Sequence, residues 1–289
     1  MSLADDVEAA VARRPGVVAV GVGAELLPAL LSARRHTRGR RWRVACPPDV
    51  VDDLGRAFPL GTAVAEACAR GAIALRAEPD SRSARTVFAT AGRVDAVAGP
   101  TGDRTLVTDV DPDRTRGASE AIAARFAAAT PAAVRMPPRR RLVESARDAL
   151  GSRFADDLAG VLGSLDADSA ALDRSEPVDD RTLLVALAAR NDHLFHDVRE
   201  WADEVGIAPK QEFTAERRAL VDRGLVESIK VPIGIGRPNY RLRAVAEAID
   251  RADPEELLSA LRAQFAATGD GSNAAASRGD DRPVWDRRR

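Results

Sequence analysis

Gly206-Ile207-Ala208-Pro209-Lys210-Gln211-Glu212-Phe213 runs on through Leu220 to Gly224-Leu225-Val226 and closes in Ile233-Gly234-Ile235-Gly236-Arg237-Pro238. Gly206 ends one amphipathic helix. Pro209 suits the first turn of the next, where a missing N–H leaves nothing unpaired that was paired before. The spacing predicts that next helix over 209–223, with Phe213 and Leu220 on one face. Gly224 stops it, and Leu225-Val226 opens a strand. Helix, short turn, helix and a glycine-tipped hairpin is the order of a winged helix-turn-helix.

Upstream of this stretch, 182–189 reads as the first helix of that domain and 194–205 as the second, with Leu194, Val198, Trp201 and Val205 inward. On the third helix, Lys210, Gln211, Thr214 and Arg218 face outward, long or hydroxyl donors suited to phosphates and base edges. Arg217 takes a position where an apolar residue usually sits. Its stem is expected to cover the core edge while its head reaches solvent or phosphate. The wing strands, 226–231 and 240–242, add Lys230 and Arg241, with Arg237 near the tip. The expected DNA-binding set is therefore Lys210, Gln211, Thr214, Arg217, Arg218, Lys230, Arg237 and Arg241. From Lys210 to Arg243, eight basic residues stand against four acidic ones, a positive segment in a chain of net charge −1. A winged helix used only for protein contacts is the competing reading. His193 and His196 lack further ligand partners in the sequence and read as surface or capping residues.

The length, 289 residues, suggests more than one domain, and 45% apolar residues suffice for packed cores. Acidic Asp5, Asp6 and Glu8 replace the basic start of a signal peptide, and no apolar run is long enough to span a membrane. A cytoplasmic protein is the expectation. Cys46 and Cys68 are too few for a disulfide framework or a zinc site. Lys210 and Lys230 are the only lysines among 43 basic residues.

Residues 1–136 read as an α/β domain. Helix 3–14 precedes a buried strand at 16–22. Gly21-Val22-Gly23 invites a nucleotide-binding reading, but the third glycine and the following acidic strand end are missing. The run Arg34, Arg35, Arg38, Arg40 and Arg41 reads first as a solvated loop; its sharper reading is an anion site or second DNA contact. Strands follow at 42–46 and 72–77, with helix between. A hairpin of 86–91 and 93–98 turns near Gly92, a further strand covers 105–110, and a helix covers 115–129. Asp109, Asp111 and Asp113 alternate like a metal loop, yet Pro112 interrupts them and helix capping before Arg114 accounts for them better. No catalytic constellation, metal site or cofactor motif emerges, and the chain is read as a non-enzyme.

Pro137-Pro138 opens a connector over 137–180. Leu142, Val143, Ala146, Leu150, Phe154, Leu158, Val161, Leu162 and Leu165 recur at helical spacing, broken at Gly151-Ser152, and 166–180 reads as a linker. Two occupants of that stripe stay open: the chain's own α/β domain, or a second copy. The winged helix spans 181–243. Helix follows over 244–267, interrupted at Asp253-Pro254, and 268–289 is a polar tail expected to lack structure.

The segment Lys230-Val231-Pro232-Ile233-Gly234-Ile235-Gly236-Arg237-Pro238, after Asp222-Arg223-Gly224-Leu225-Val226, resembles the wing of the haloarchaeal TbsP-type transcriptional regulators. Those proteins partner the sugar-responsive regulator TrmB in controlling glucose uptake and central carbon metabolism. The α/β half is similar to TrmB effector domains, which are phospholipase-D-like without the catalytic histidines. The resemblance implies a homodimer on promoter DNA, tuned by a sugar or sugar-phosphate. The alternative is a metabolite- or nucleotide-binding α/β protein whose winged helix contacts protein.

Overall fold

The computed structural model describes residues 2–79, 85–100, 102–164, 178–232 and 239–275, with side chains through Ala267. The expected linker over 166–180 lies almost wholly outside them, as do the wing tip with Arg237 and the tail from 276.

Strand alternation builds the N-terminal half. β1 (Val18–Val20), β2 (Trp42–Cys46) and β3 (Ile73–Ala77) pair in parallel, Val18 opposite Arg43 and Trp42 opposite Ile73. Their crossovers carry α2 (Leu27–Arg35) after β1, and α3 (Pro48–Leu54) with α4 (Phe58–Ala69) after β2. Val17, Ala19, Trp42, Val44 and Cys46 meet those helices and α1 (Leu3–Val11) on one face. Val18, Val20 and Ala45 meet Ile122 and Phe126 of α5 (Pro112–Ala128) on the other. A period of two read against two apolar layers is what a sheet covered on both faces requires.

The sheet grows antiparallel at both sides. β4 (Val87–Thr90) lies against β1, then come β5 (Arg93–Ala98) and β6 (Thr105–Asp109), while β7 (Thr130–Pro131) closes the β3 edge. The order is β6-β5-β4-β1-β2-β3-β7. Gly92, at φ +70°, turns the β4–β5 hairpin where an L side chain would be strained. α5 starts at Pro112, earlier than expected, because Asp111 caps it by accepting the N–H groups of Asp113 and Arg114.

The connector does not pack as a free surface. α6 (Arg139–Leu150) and α7 (Ser152–Ser164) meet at Gly151, φ +88°. Leu142, Ala146, Leu150, Phe154, Leu158, Val161 and Leu162 of their stripe are at most 6% exposed and merge into one core with the winged helix. Val143 packs against that core only partly buried, and Leu165 lies outside the described residues. Phe154 sets its ring edge against His193 at 5.4 Å and Trp201 at 5.8 Å, and Trp201 Nε1 donates to Ser145 Oγ at 3.1 Å. The stripe thus packs chiefly on the chain's own C-terminal half, with Phe58 of α4 the share of the α/β domain. The first of the two occupants left open holds in part, and the stripe is not left free for a second copy. α11 (Glu247–Asp250) and α12 (Leu257–Ala275) complete that core through Ile249, Leu257, Leu261 and Phe265. α12 continues to Ala275, into the stretch from 268 expected to lack structure.

Candidate nucleic-acid interface

α8 (Asp180–Arg190), α9 (Phe195–Glu204) and α10 (Phe213–Asp222) lead into the hairpin of β8 (Val226–Val231) and β9 (Asn239–Ala244). Leu194 bridges to Arg241, and the Leu242 N–H donates to His193 O at 2.9 Å, so the segment before α9 is tied to the two-stranded wing by a single β-bridge. Phe213 and Leu220 are fully buried, as their spacing predicts.

α10 begins at Phe213, not at 209. Residues 209–212 form a turn in which Glu212 N–H donates to Pro209 O at 3.0 Å. Ion pairs from neighbouring helices hold that turn. Arg181, itself paired to the α8 N-cap Asp179, reaches Glu212 at 2.7 Å and Glu216 at 3.9 Å. Lys210 Nζ lies 3.0 Å from Glu200 Oε1 and 3.1 Å from Oε2. That ammonium holds the Glu200 carboxyl below its ordinary range, chiefly by donating to it. Neither Arg181 nor Glu200 was singled out in the sequence, because a partner on another helix leaves no local spacing.

The expected contact residues divide. Gln211 and Arg218 are exposed and Thr214 is half-buried, and the three follow each other at three and four residues along the outer side of the turn and helix. Arg218 makes no hydrogen bond or ion pair among the described residues. Arg217 points inward. Its guanidinium lies 5.2 Å from the Phe195 ring and 4.4 Å from the Tyr240 ring, and Nη1 donates to Ser228 Oγ at 2.7 Å. Burial lowers its pKa from the ordinary arginine value. Its head therefore reaches the wing instead of the solvent or phosphate expected for it.

Register separates the two described wing cations. Lys230 pairs with Tyr240 and shares the face of Ser228 and Leu242, which looks toward α10. Arg241 pairs with Ile229 on the opposite face, beside Arg243, which is bound to Asp192 at 3.2 Å. Lys230 and Arg241 thus lie on opposite faces of the wing.

The Gly21 turn is filled by the chain itself. Gly21 N–H donates to Glu78 Oε1 at 2.6 Å, and Arg125 binds Glu78 Oε2 at 2.7 Å. A Cβ at Gly21 would stand 2.7 Å from Arg85 O. A carboxylate thereby occupies the donor that a nucleotide phosphate would need. Among the described residues no group of three or more His, Cys, Asp or Glu is placed to hold a metal, and no helix is long and apolar enough to cross a membrane.

With this geometry in place, the family comparison decides the assignment. Residues 2–137 match the model of the transcriptional regulator TbsP-like N-terminal domain, and residues 138–262 match that of the TbsP-like C-terminal HTH domain. The chain belongs to the TbsP-like transcriptional regulators. The two TbsP-like models meet between Pro137 and Pro138, where the chain passes from the sheet to α6. Comparison with curated proteins returns no match. Among solved structures, TrmBL2, described as an archaeal chromatin protein that shows a novel mode of DNA binding, is similar at 10% identity and a TM-score of 0.35. That likeness covers 44% of this TbsP-like chain and 49% of TrmBL2, so the chain spans about half the length of that protein.

Proposed function

We propose that this TbsP-like regulator binds promoter DNA sequence-specifically as a homodimer, setting α10 in the major groove with the wing alongside. Gln211, Thr214 and Arg218 read or position the groove, Lys230 and Arg241 contact backbone from the two wing faces, and Arg237 adds a further DNA contact. Arg217 holds the wing against α10. The observation that carries this reading is the division along α10. Phe213, Arg217 and Leu220 are spent inside the protein, while Arg218 is exposed and unengaged among the described residues. Lys210 enters the site only by exchanging Glu200 for a phosphate.

The test is a duplex-binding titration at fixed salt with the full chain. Arg218→Ala weakens operator binding by about 1–3 kcal/mol if it contacts a base. Unchanged affinity removes Arg218 from the interface. The sequence resemblance further supports sugar-uptake and central-carbon genes as targets. It also supports a TrmB-effector-like, phospholipase-D-like role for the N-terminal half, taking a sugar or sugar-phosphate. Genome-wide mapping of bound DNA tests the first, and a thermal-shift screen of central-carbon metabolites tests the second.

A further inference from the structure

Three connections of the N-terminal half converge where the parallel strands begin. α1 gives way to Arg13-Arg14 before β1, α2 to residues 36–41 before β2, and α4 to Arg70 before β3. The chain ties these segments together. Arg13 N–H donates to Thr37 Oγ1 at 3.1 Å, Trp42 Nε1 to Arg14 O at 3.2 Å, and both Trp42 N–H and Arg34 Nε to Ala72 O, at 2.9 and 3.1 Å. Arg13, Arg14, Arg38, Arg40, Arg41 and Arg70 consequently share one exposed rim. The connecting residues 12–16, 36–41 and 70–72 include no Asp or Glu.

Among the described residues, none of these six arginines makes an ion pair; Arg41 Nε donates only to a backbone oxygen, that of Ile73. The acidic residues at the same end of the sheet, Asp109, Asp111 and Asp113, lie at β6, three strands from β1, and Arg114 covers Asp109 at 2.8 Å. The positive charge is therefore confined to the β1–β3 side.

We propose that this arginine rim is a second nucleic-acid contact, binding the phosphate backbone of duplex DNA. The proposal rests on the reading of the chain as a DNA-binding regulator. Arginine suits phosphate because its planar fork donates in pairs and stays charged. Adjacent strands stand about 5 Å apart, so the rim spans roughly 10 Å before side-chain reach. A duplex strand offers a phosphate every ~3.4 Å of axis, so several face the rim at once. A folded protein partner would need an apolar centre to its patch. Among the described residues, the exposed large apolar ones, Val107, Val110 and Val245, lie elsewhere, on or after β6 and after β9.

The experiment uses the full chain and a random-sequence duplex, with affinity measured by fluorescence anisotropy across a salt series. The triple variant Arg38→Gln, Arg40→Gln, Arg70→Gln alters exposed side chains without described partners, and circular dichroism with a melting curve verifies its fold. The expected result is a log K against log salt slope shallower by roughly two to three, at ~0.9 per lost phosphate contact. The matching triple lysine variant keeps most of the slope. A glutamine variant with the wild-type slope overturns the rim while leaving α10 untouched. A wild-type chain that binds no duplex at all overturns both readings. Unchanged duplex binding with lost binding to polyglutamate overturns the proposal in favour of an acidic protein partner.

Discussion

The guanidinium of Arg217 lies 4.4 Å from the Tyr240 ring and joins the third helix of the winged domain to its second wing strand. The same group lies 5.2 Å from Phe195 and donates to Ser228, so one side chain spans α9, α10, β8 and β9. Distance between helix and wing sets whether both can engage a duplex together. A cation at this joint fixes that distance more sharply than an apolar residue, since it adds a directional bond to two ring contacts.

Replacing that joint therefore separates stability from geometry. Arg217→Ala loses two ring contacts and leaves the Ser228 hydroxyl without its donor, at a cost of about 1–3 kcal/mol. Arg217→Met keeps the stem's packing and removes a half-buried charge, so its cost stays under about 1 kcal/mol. Urea unfolding measures both. Operator affinity falls in both variants, because each frees the wing; a methionine variant with wild-type affinity would show that the wing needs no such joint.

Burial also tunes His193, whose pKa lies below its ordinary 6.5 because the ring is half-buried against Phe154, with the Arg241 charge adding to the effect. The unfolded chain then binds a proton more readily than the folded one. The neutral ring's contribution is complete above pH 6.5 and is lost as pH falls through the lowered folded value. The melting temperature should drop on going from pH 7.5 to 5.5, and His193→Gln should flatten that drop. Equal drops in both chains would place the titrating group elsewhere.

Glu78 offers a harder test of the N-terminal half. Its side chain is 4% exposed, accepts from Gly21 N–H, and is bound by Arg125. Glu78→Gln keeps an oxygen for Gly21 but strips Arg125 of its counter-charge, at a cost of about 2–4 kcal/mol. Glu78→Ala costs more, because the Gly21 donor is also left buried and unpaired. Denaturant midpoints rank the two. A nucleotide that protected the wild type against heat would restore the phosphate-binding reading of Gly21.

The sequence carried what short-range periodicity can carry. Trp42, Val44 and Cys46 alternate toward one layer, Asp111 stands where a cap belongs, and Gly92 and Gly151 mark reversals. Each is a relation between residues a few positions apart. The destination of the α6–α7 stripe is a relation across the chain, and one apolar surface is chemically as good a partner as another. The start of α10 misled for the same reason. Pro209 is a sound first-turn residue, but ion pairs from Arg181 and Glu200 hold 209–212 as a turn. Among the residues expected to contact DNA, helical spacing placed Gln211, Thr214 and Arg218 on the outward side. It could not say that Arg217 would be spent on Tyr240, since that ring is folded back by the wing.

Phe58 makes the two halves of the chain interdependent. It begins α4 in the α/β half, yet its ring is fully buried in the core of the winged helix, and its N–H donates to Asp180 Oδ2 at 3.0 Å. Phe58→Ala should cost about 3–5 kcal/mol. The loss should register in the C-terminal half, as faster amide exchange in α8 and α10 than in β1 and β2. Exchange that quickens only around α4 would mean the halves unfold independently.

In the proposed interface the Glu200–Lys210 pair acts as a restraint. While Glu200 holds the ammonium, Lys210 offers phosphate only a shared charge, and Glu200 itself repels the backbone. Glu200→Gln removes both effects at one stroke. Duplex affinity at low salt should rise, and the salt slope should steepen by about 0.9 for one added phosphate contact. Lys210→Gln in the wild-type background should change the slope by less than one contact, because the cation there is already partly engaged. If Glu200→Gln leaves both affinity and slope unchanged, Lys210 faces no phosphate and the groove-facing set shrinks to Gln211, Thr214 and Arg218.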